Sequence, residues 1–166
     1  MNPQWFGDSF DIVKRYFVQI LNDLNYQVAV DPMLTGEWNG QERNFYKFLN
    51  VVHAEDKQSG KTALLIDPDT GIGARRTPKH ITIQCIVDRL RFFDIVFSFD
   101  QSFSRGSNVT EKIHEKLASL YGAGAHGFYY DSHARFLFAS NSVEKLKAVE
   151  NQLISSGLPH GRLIHG

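Results

Sequence analysis

The sequence predicts an α/β fold in three layers, a mostly parallel sheet flanked by helices with an antiparallel hairpin near the C-terminus. Two observations carry this expectation. Apolar runs of strand length alternate with segments of helical periodicity, the signature of β-α-β units. Two of those runs, "TALLID" and "DIVFSFD", are apolar without alternation, as expected of strands covered on both faces. The 166 residues suit one domain over 1–166.

Each element has its own warrant. Phe10, Val13, Phe17, Ile20, Leu21 and Leu24 recur at three- and four-residue steps and place a helix at about Ser9 to Leu24, with Asp8 or Ser9 as cap. "YQVAVDP" follows as a strand, since Val28 and Val30 are β-branched and Pro32 forbids a helix. After the loop "MLTGEWNGQE", Phe45, Phe48 and Leu49 mark a short helix, and "HAEDKQSGK" reads as a surface connection. "TALLID" is the next strand. Thr77 and Pro78 offer a cap and first turn for a helix reaching about Arg91, although Ile81 and Ile83 alternate like a strand.

Beyond the strand "DIVFSFD", Asn108 and Glu111 stand at capping-box spacing before a helix that closes at Gly122 and Gly124. "GFYYDSHARFLFAS" reads as two aromatic strands around a tight turn. Asn141 and Glu144 repeat the capping spacing before a last helix through Val143, Leu146, Val149 and Leu153.

Composition narrows the function classes. Eighteen basic and eighteen acidic side chains balance, which excludes a strong global field for coating nucleic acid. Cys85 is the only cysteine, so neither an internal disulfide nor a paired-thiol zinc motif can form. The N-terminal "MNPQWFGDSF" has no basic region followed by an apolar stretch, and no run approaches a membrane span, so the expectation is a cytoplasmic protein with no membrane partner.

Three strands end in aspartate: Asp31, Asp67 and Asp100, with Asp69 close behind the second. In open α/β sheets ligands bind beyond the carboxyl ends of the strands. Converging carboxylates there would suit Mg2+ or Mn2+, and the cation would offset their mutual repulsion. On this reading Asp31, Asp67, Asp69 and Asp100 hold metal. Asp67, Asp69, Asp100 and Arg105 are then the catalytic candidates of an enzyme acting on a phosphodiester or nucleotide, with Arg105 stabilising phosphate charge. The competing reading makes these aspartates turn and cap residues of a non-catalytic interaction module. Arg75, Arg76, Lys79 and His80 form the densest basic group, and with Arg105 the arginines and Lys79 are the candidate contacts for a nucleotide or nucleic acid. The aromatic hairpin reads mainly as core, and the histidines lack any zinc spacing.

The stretches "FGDSFDIVKRYFVQILNDL", "VAVDPMLTG", "LLIDPDTG" and "DIVFSFD", followed by the aromatic hairpin, resemble in their order a shortened Rossmann-like methyltransferase, with adenine-N6 ribosomal RNA methyltransferases as the nearest likeness. The chain is also similar to poorly characterised bacterial or phage-associated proteins, a likeness that implies no activity. The methyltransferase resemblance implies S-adenosylmethionine as cofactor, places Asp8 or Asp11 with Lys14 on that family's Asp and Lys helix, and puts Asp67 and Pro68 on its Asp-Pro-Pro-aromatic motif. The departures are specific. Gly36 stands alone after Asp31 where the family has a paired Gly-x-Gly, and Asp69 and Thr70 replace the second proline and the aromatic residue. Residues 31–62 are also too few for the two strands that complete a cofactor half. The second reading is therefore a degenerate methyltransferase-like domain.

Overall fold

The computed structural model describes residues 2–103 and 106–166. Its elements are α1 (Ser9–Asp23), β1 (Gln27–Asp31), α2 (Glu42–Leu49), β2 (Val52–His53), β3 (Thr62–Ile66), β4 (Gly71–Ile72), β5 (His80–Ile81), α3 (Ile83–Arg89), β6 (Ile95–Phe99), α4 (Val109–Gly122), β7 (His126–Tyr130), β8 (Phe136–Ser140), α5 (Val143–Ser155) and β9 (Leu163–His165). The main sheet has the order β2-β1-β3-β6-β8-β7-β9. The first four of these strands are mutually parallel, and the β6/β8, β8/β7 and β7/β9 pairs are antiparallel. A mostly parallel α/β sheet with antiparallel C-terminal strands is thus the observed architecture.

Alternation along the strands sorts the core into two layers. Val28, Val30, Leu65, Phe97 and Phe138 face one way, packing with Phe17 and Leu21 of α1, Phe45 and Leu49 of α2 and Leu146 and Val149 of α5. Ala29, Leu64, Ile66, Val96 and Leu137 face the other way, onto Ile86 of α3 and Ile113 and Leu117 of α4. Both strands read as buried runs, β3 and β6, are covered along their whole length. Asp8 caps α1, its side chain accepting from the amides of Phe10 and Asp11. Asn108 caps α4 by accepting from Glu111 N at 3.3 Å.

Two boundaries differ from expectation. The third helix begins at Ile83, because Thr82 is its cap and accepts from the Cys85 amide at 3.2 Å. Thr77 instead closes a turn onto His80, and Ile81 pairs through β5 with β4 and is buried. The alternation of Ile81 and Ile83 outweighed the Thr-Pro start signal because Ile81 finds a core to fill. The last helix is capped by Ser142, which accepts from Lys145 N, while Asn141 donates across to Leu90 O at 3.1 Å. A tertiary partner removed Asn141 from the capping role. Among the described residues, no helix is long and apolar enough to cross a membrane.

Candidate functional site

Because β1, β3 and β6 are adjacent and parallel, Asp31, Asp67 and Asp100 stand on one rim, as expected. The Asp67 amide donates to Asp31 O at 3.0 Å, continuing the ladder one step past the strand end. Their side chains, however, serve three separate ion pairs.

Asp31 meets Arg89 Nη2 at 2.9 Å on the α3 side. Asp100 is fully buried and closely held: Oδ1 accepts from the amides of Ile72 and Ser102 and from Ser102 Oγ, while Oδ2 accepts from Lys116 Nζ at 2.5 Å and Tyr129 OH at 2.8 Å. Burial first, and the Asp100 charge second, push the Tyr129 phenol well above its ordinary range, so it stays a donor. The backbone comes close here too. A Cβ on Gly71, whose φ is +132°, would sit 2.3 Å from Asp100 Oδ1, so this position requires glycine. Asp100 is a cross-brace binding β6, the β4 turn, α4 and β7, and its oxygens are occupied by protein donors.

Asp67 belongs to a different constellation. Lys14 Nζ, from the middle of α1, donates to Asp67 Oδ2 and Asp11 Oδ1, each at 2.8 Å, and all three side chains are at most 3% exposed. Gly7 N donates to the second Asp11 oxygen at 2.9 Å. The ammonium also lies 5.4 Å from the Phe99 ring centre and 6.0 Å from that of Phe45. Burial works to lower the Lys14 pKa, but the Asp67 and Asp11 charges outweigh it and hold the ammonium above the usual lysine range. Burial dominates at Asp11, whose pKa is raised despite Lys14. The result is a buried carboxylate–ammonium–carboxylate bridge pinning α1 to the end of β3.

A cleft of about 420 Å³ opens above this bridge. Its walls are Trp5, Phe10, Phe99 and Pro68, and its polar lining comes from Asn2, Asp8, Asp69 and Gln101 together with Asp11, Lys14 and Asp67. Phe10 and Phe99 meet edge to face at 5.2 Å, and Phe10 also packs on His133 at 5.3 Å. Asp69 accepts from Thr35 Oγ1 at 3.0 Å, which orients its carboxylate from the loop after β1. The lining carries four carboxylates and a single ammonium, so the cleft favours ligands that bring hydrogen-bond donors or positive charge.

Of the proposed catalytic and metal-ligating residues, the structure therefore brings Asp67 and Asp69 to one cleft and directs Asp31 and Asp100 elsewhere. Among the described residues, no group of three or more His, Cys, Asp or Glu side chains is arranged to hold a metal. The expected convergence failed because each strand-end carboxylate found its own basic partner in a helix. Arg105 lies outside the described residues. Arg75, Arg76 and Lys79 are exposed on the turn between β4 and β5, which Thr70 N ties to Lys79 O at 2.9 Å.

Sequence reasoning missed Asn2 and Trp5, and it read Phe10 and Phe99 as core. Lys14 entered only through the resemblance, yet its spacing was informative: four residues after Phe10 and three before Phe17, it is a lysine on the buried face of an amphipathic helix. Comparison of the chain with family models, with curated proteins and with solved structures found no match.

Proposed function

We propose that this chain is a methyltransferase-like α/β domain that recognises an amine-bearing nucleobase in the cleft above the Asp11–Lys14–Asp67 bridge. One observation carries the reading: aromatic walls and oriented carboxylates share one cleft at the carboxyl end of β3. Flat walls suit a ring, and buried aromatic edges and faces reward stacking. Asp69, half-buried and steered by Thr35, is the acceptor for an exocyclic amine, with Gln101 beside it. The nucleobase face enters the cleft, while the sugar and phosphate stay outside, where the acidic lining does not repel them. Lys14 fixes Asp67 in the floor through the 2.8 Å ion pair and is a positioning residue.

This reading replaces metal-assisted phosphodiester chemistry because Asp31 and Asp100 would have to leave Arg89 and Lys116 before binding a cation. It is tested by thermal shift and titration calorimetry with adenosine, cytidine, uridine, S-adenosylmethionine and Mn2+. Adenosine and cytidine, which carry an exocyclic amine, should raise the melting temperature more than uridine does. Asp69→Asn and Phe10→Ala should each weaken that binding at least tenfold while leaving circular dichroism unchanged. Equal responses to all three nucleosides, or a response to Mn2+ alone, would sink the proposal.

A further inference from the structure

The ends of β1 and β3 flank the point where the strand order reverses, since the chain runs outward from β1 to β2 and then returns to place β3 on the other side. Crevices at such switch points are where open α/β sheets bind ligands. The cleft described above lies on the α1 side of β3; the switch point itself has a separate hollow of about 190 Å³, facing α3. Met33, Cys85 and Phe92, the last 63% exposed, give it an apolar strip over the buried Ile66 and Ile81, and Asp31, Arg76, Asp88 and Arg89 make the rest of its lining polar.

Two guanidinium groups line this hollow, those of Arg76 and Arg89. Arg89 uses Nη2 for Asp31, and among the described residues its Nε and Nη1 have no hydrogen-bond partner. The Arg76 side chain has neither an ion pair nor a hydrogen bond among the described residues. Asp88, the remaining acid beside Asp31, accepts from Gln84 Nε2 at 3.0 Å. The two arginines thus keep planar donor forks available beside an apolar strip, a combination that matches a planar oxyanion carried on an apolar body. A phosphate ester matches less well, because its usual polar body would leave Met33 and the exposed Phe92 uncovered.

The geometry points to a second ligand site at the switch point, which takes a small organic monocarboxylate, its carboxylate held by Arg76 and Arg89 and its apolar body laid over Met33, Cys85 and Phe92. The site shares no lining residue with the nucleobase cleft, so its occupancy does not depend on that reading.

Calorimetry of the full chain with benzoate, hexanoate, acetate and inorganic phosphate tests the assignment. Benzoate and hexanoate should bind, acetate at least tenfold more weakly for want of a body, and phosphate no better than acetate. Arg76→Gln, which disturbs no internal contact, should weaken benzoate at least tenfold; Lys79→Gln, outside the hollow, should leave it unchanged. Adenosine binding should be the same in Arg76→Gln and the parent. Absence of benzoate binding, benzoate binding indifferent to Arg76→Gln, or phosphate binding more tightly than benzoate would each overturn the site.

Discussion

At the scale of single residues, the structure is organised by carboxylates that have lost their water and gained a cation. Lys14 is the sharpest case, because one ammonium compensates both Asp11 and Asp67 in a place where none of the three is more than 3% exposed. Removing one partner of a buried ion pair costs about 3–5 kcal/mol, since the remaining charge keeps its desolvation penalty. Lys14→Met should therefore destabilise the protein by about that much at pH 7 in urea unfolding. The deficit should shrink as pH falls. The Asp11 carboxyl already titrates above its ordinary value, so acid neutralises it in the folded state before the unfolded one, and without Lys14 that upward shift grows. A deficit that stays constant between pH 7 and 5 would show that the charges are not what Lys14 supports.

Asp100 makes the complementary point. Tyr129→Phe removes a donor to a fully buried carboxylate and should cost about 1–3 kcal/mol, measured by the same unfolding curves. Gly71→Ala should do comparable or greater damage, because the added methyl meets Asp100 Oδ1 and the Asp100 backbone within 3 Å. If Gly71→Ala were neutral, the tight brace between β4 and β6 would not exist in solution.

Among the elements, those that were legible in the sequence are those whose burial pattern repeats. α1 shows its apolar stripe and β3 and β6 their unbroken runs, since long elements bury enough surface to leave a period in the chain. β2, β4, β5 and β9 are two or three residues long, and no period can register in so few positions. The candidate site was half legible for a related reason. The sequence shows that Asp31, Asp67 and Asp100 share a rim, because that follows from strand direction. It does not show their partners, since Arg89, Lys116 and Lys14 come from helices 58, 16 and 53 residues away. Caps follow the same logic, and Ser142 is the test: Ser142→Ala should cost α5 about 0.5–2 kcal/mol in urea unfolding, the usual range for a lost N-cap.

The joint between α5 and the sheet also responds to pH. Asp94 accepts from Thr62 N and Lys145 Nζ, and although burial alone would raise its pKa, these donors and the Lys145 charge hold it below the ordinary carboxylate range. A depressed folded pKa gives stability that is present above the unfolded value, near 4, and is lost as pH falls through the folded value. Asp94→Asn should therefore flatten the acid limb of the stability curve below about pH 4 relative to the parent. An unchanged limb would assign acid sensitivity to other carboxylates.

For the whole molecule, the central question is whether two cores unfold as one. The layers touch opposite faces of the same strands, and neighbouring residues of β8 divide between them: Phe138 packs with α1 and α5, Leu137 with α3 and α4. Neither layer can be lost without exposing one face of β3, β6 and β8, strands that are buried along their full length. That sharing predicts a single cooperative transition. Trp38, 3% exposed in the α1 layer, reports on one side, once exposed Trp5 is replaced by Phe to leave a single indole. Far-ultraviolet circular dichroism reports on the helices of both. In the Trp5→Phe background the two signals should give coincident urea midpoints, and Leu137→Ala, which cuts the opposite layer by about 2–5 kcal/mol, should shift the Trp38 midpoint as far as the helical one. If Leu137→Ala lowers the circular-dichroism midpoint while Trp38 holds its own, the sheet does not couple its two faces, and the cleft at the end of β3 and the hollow facing α3 would then belong to separately melting halves.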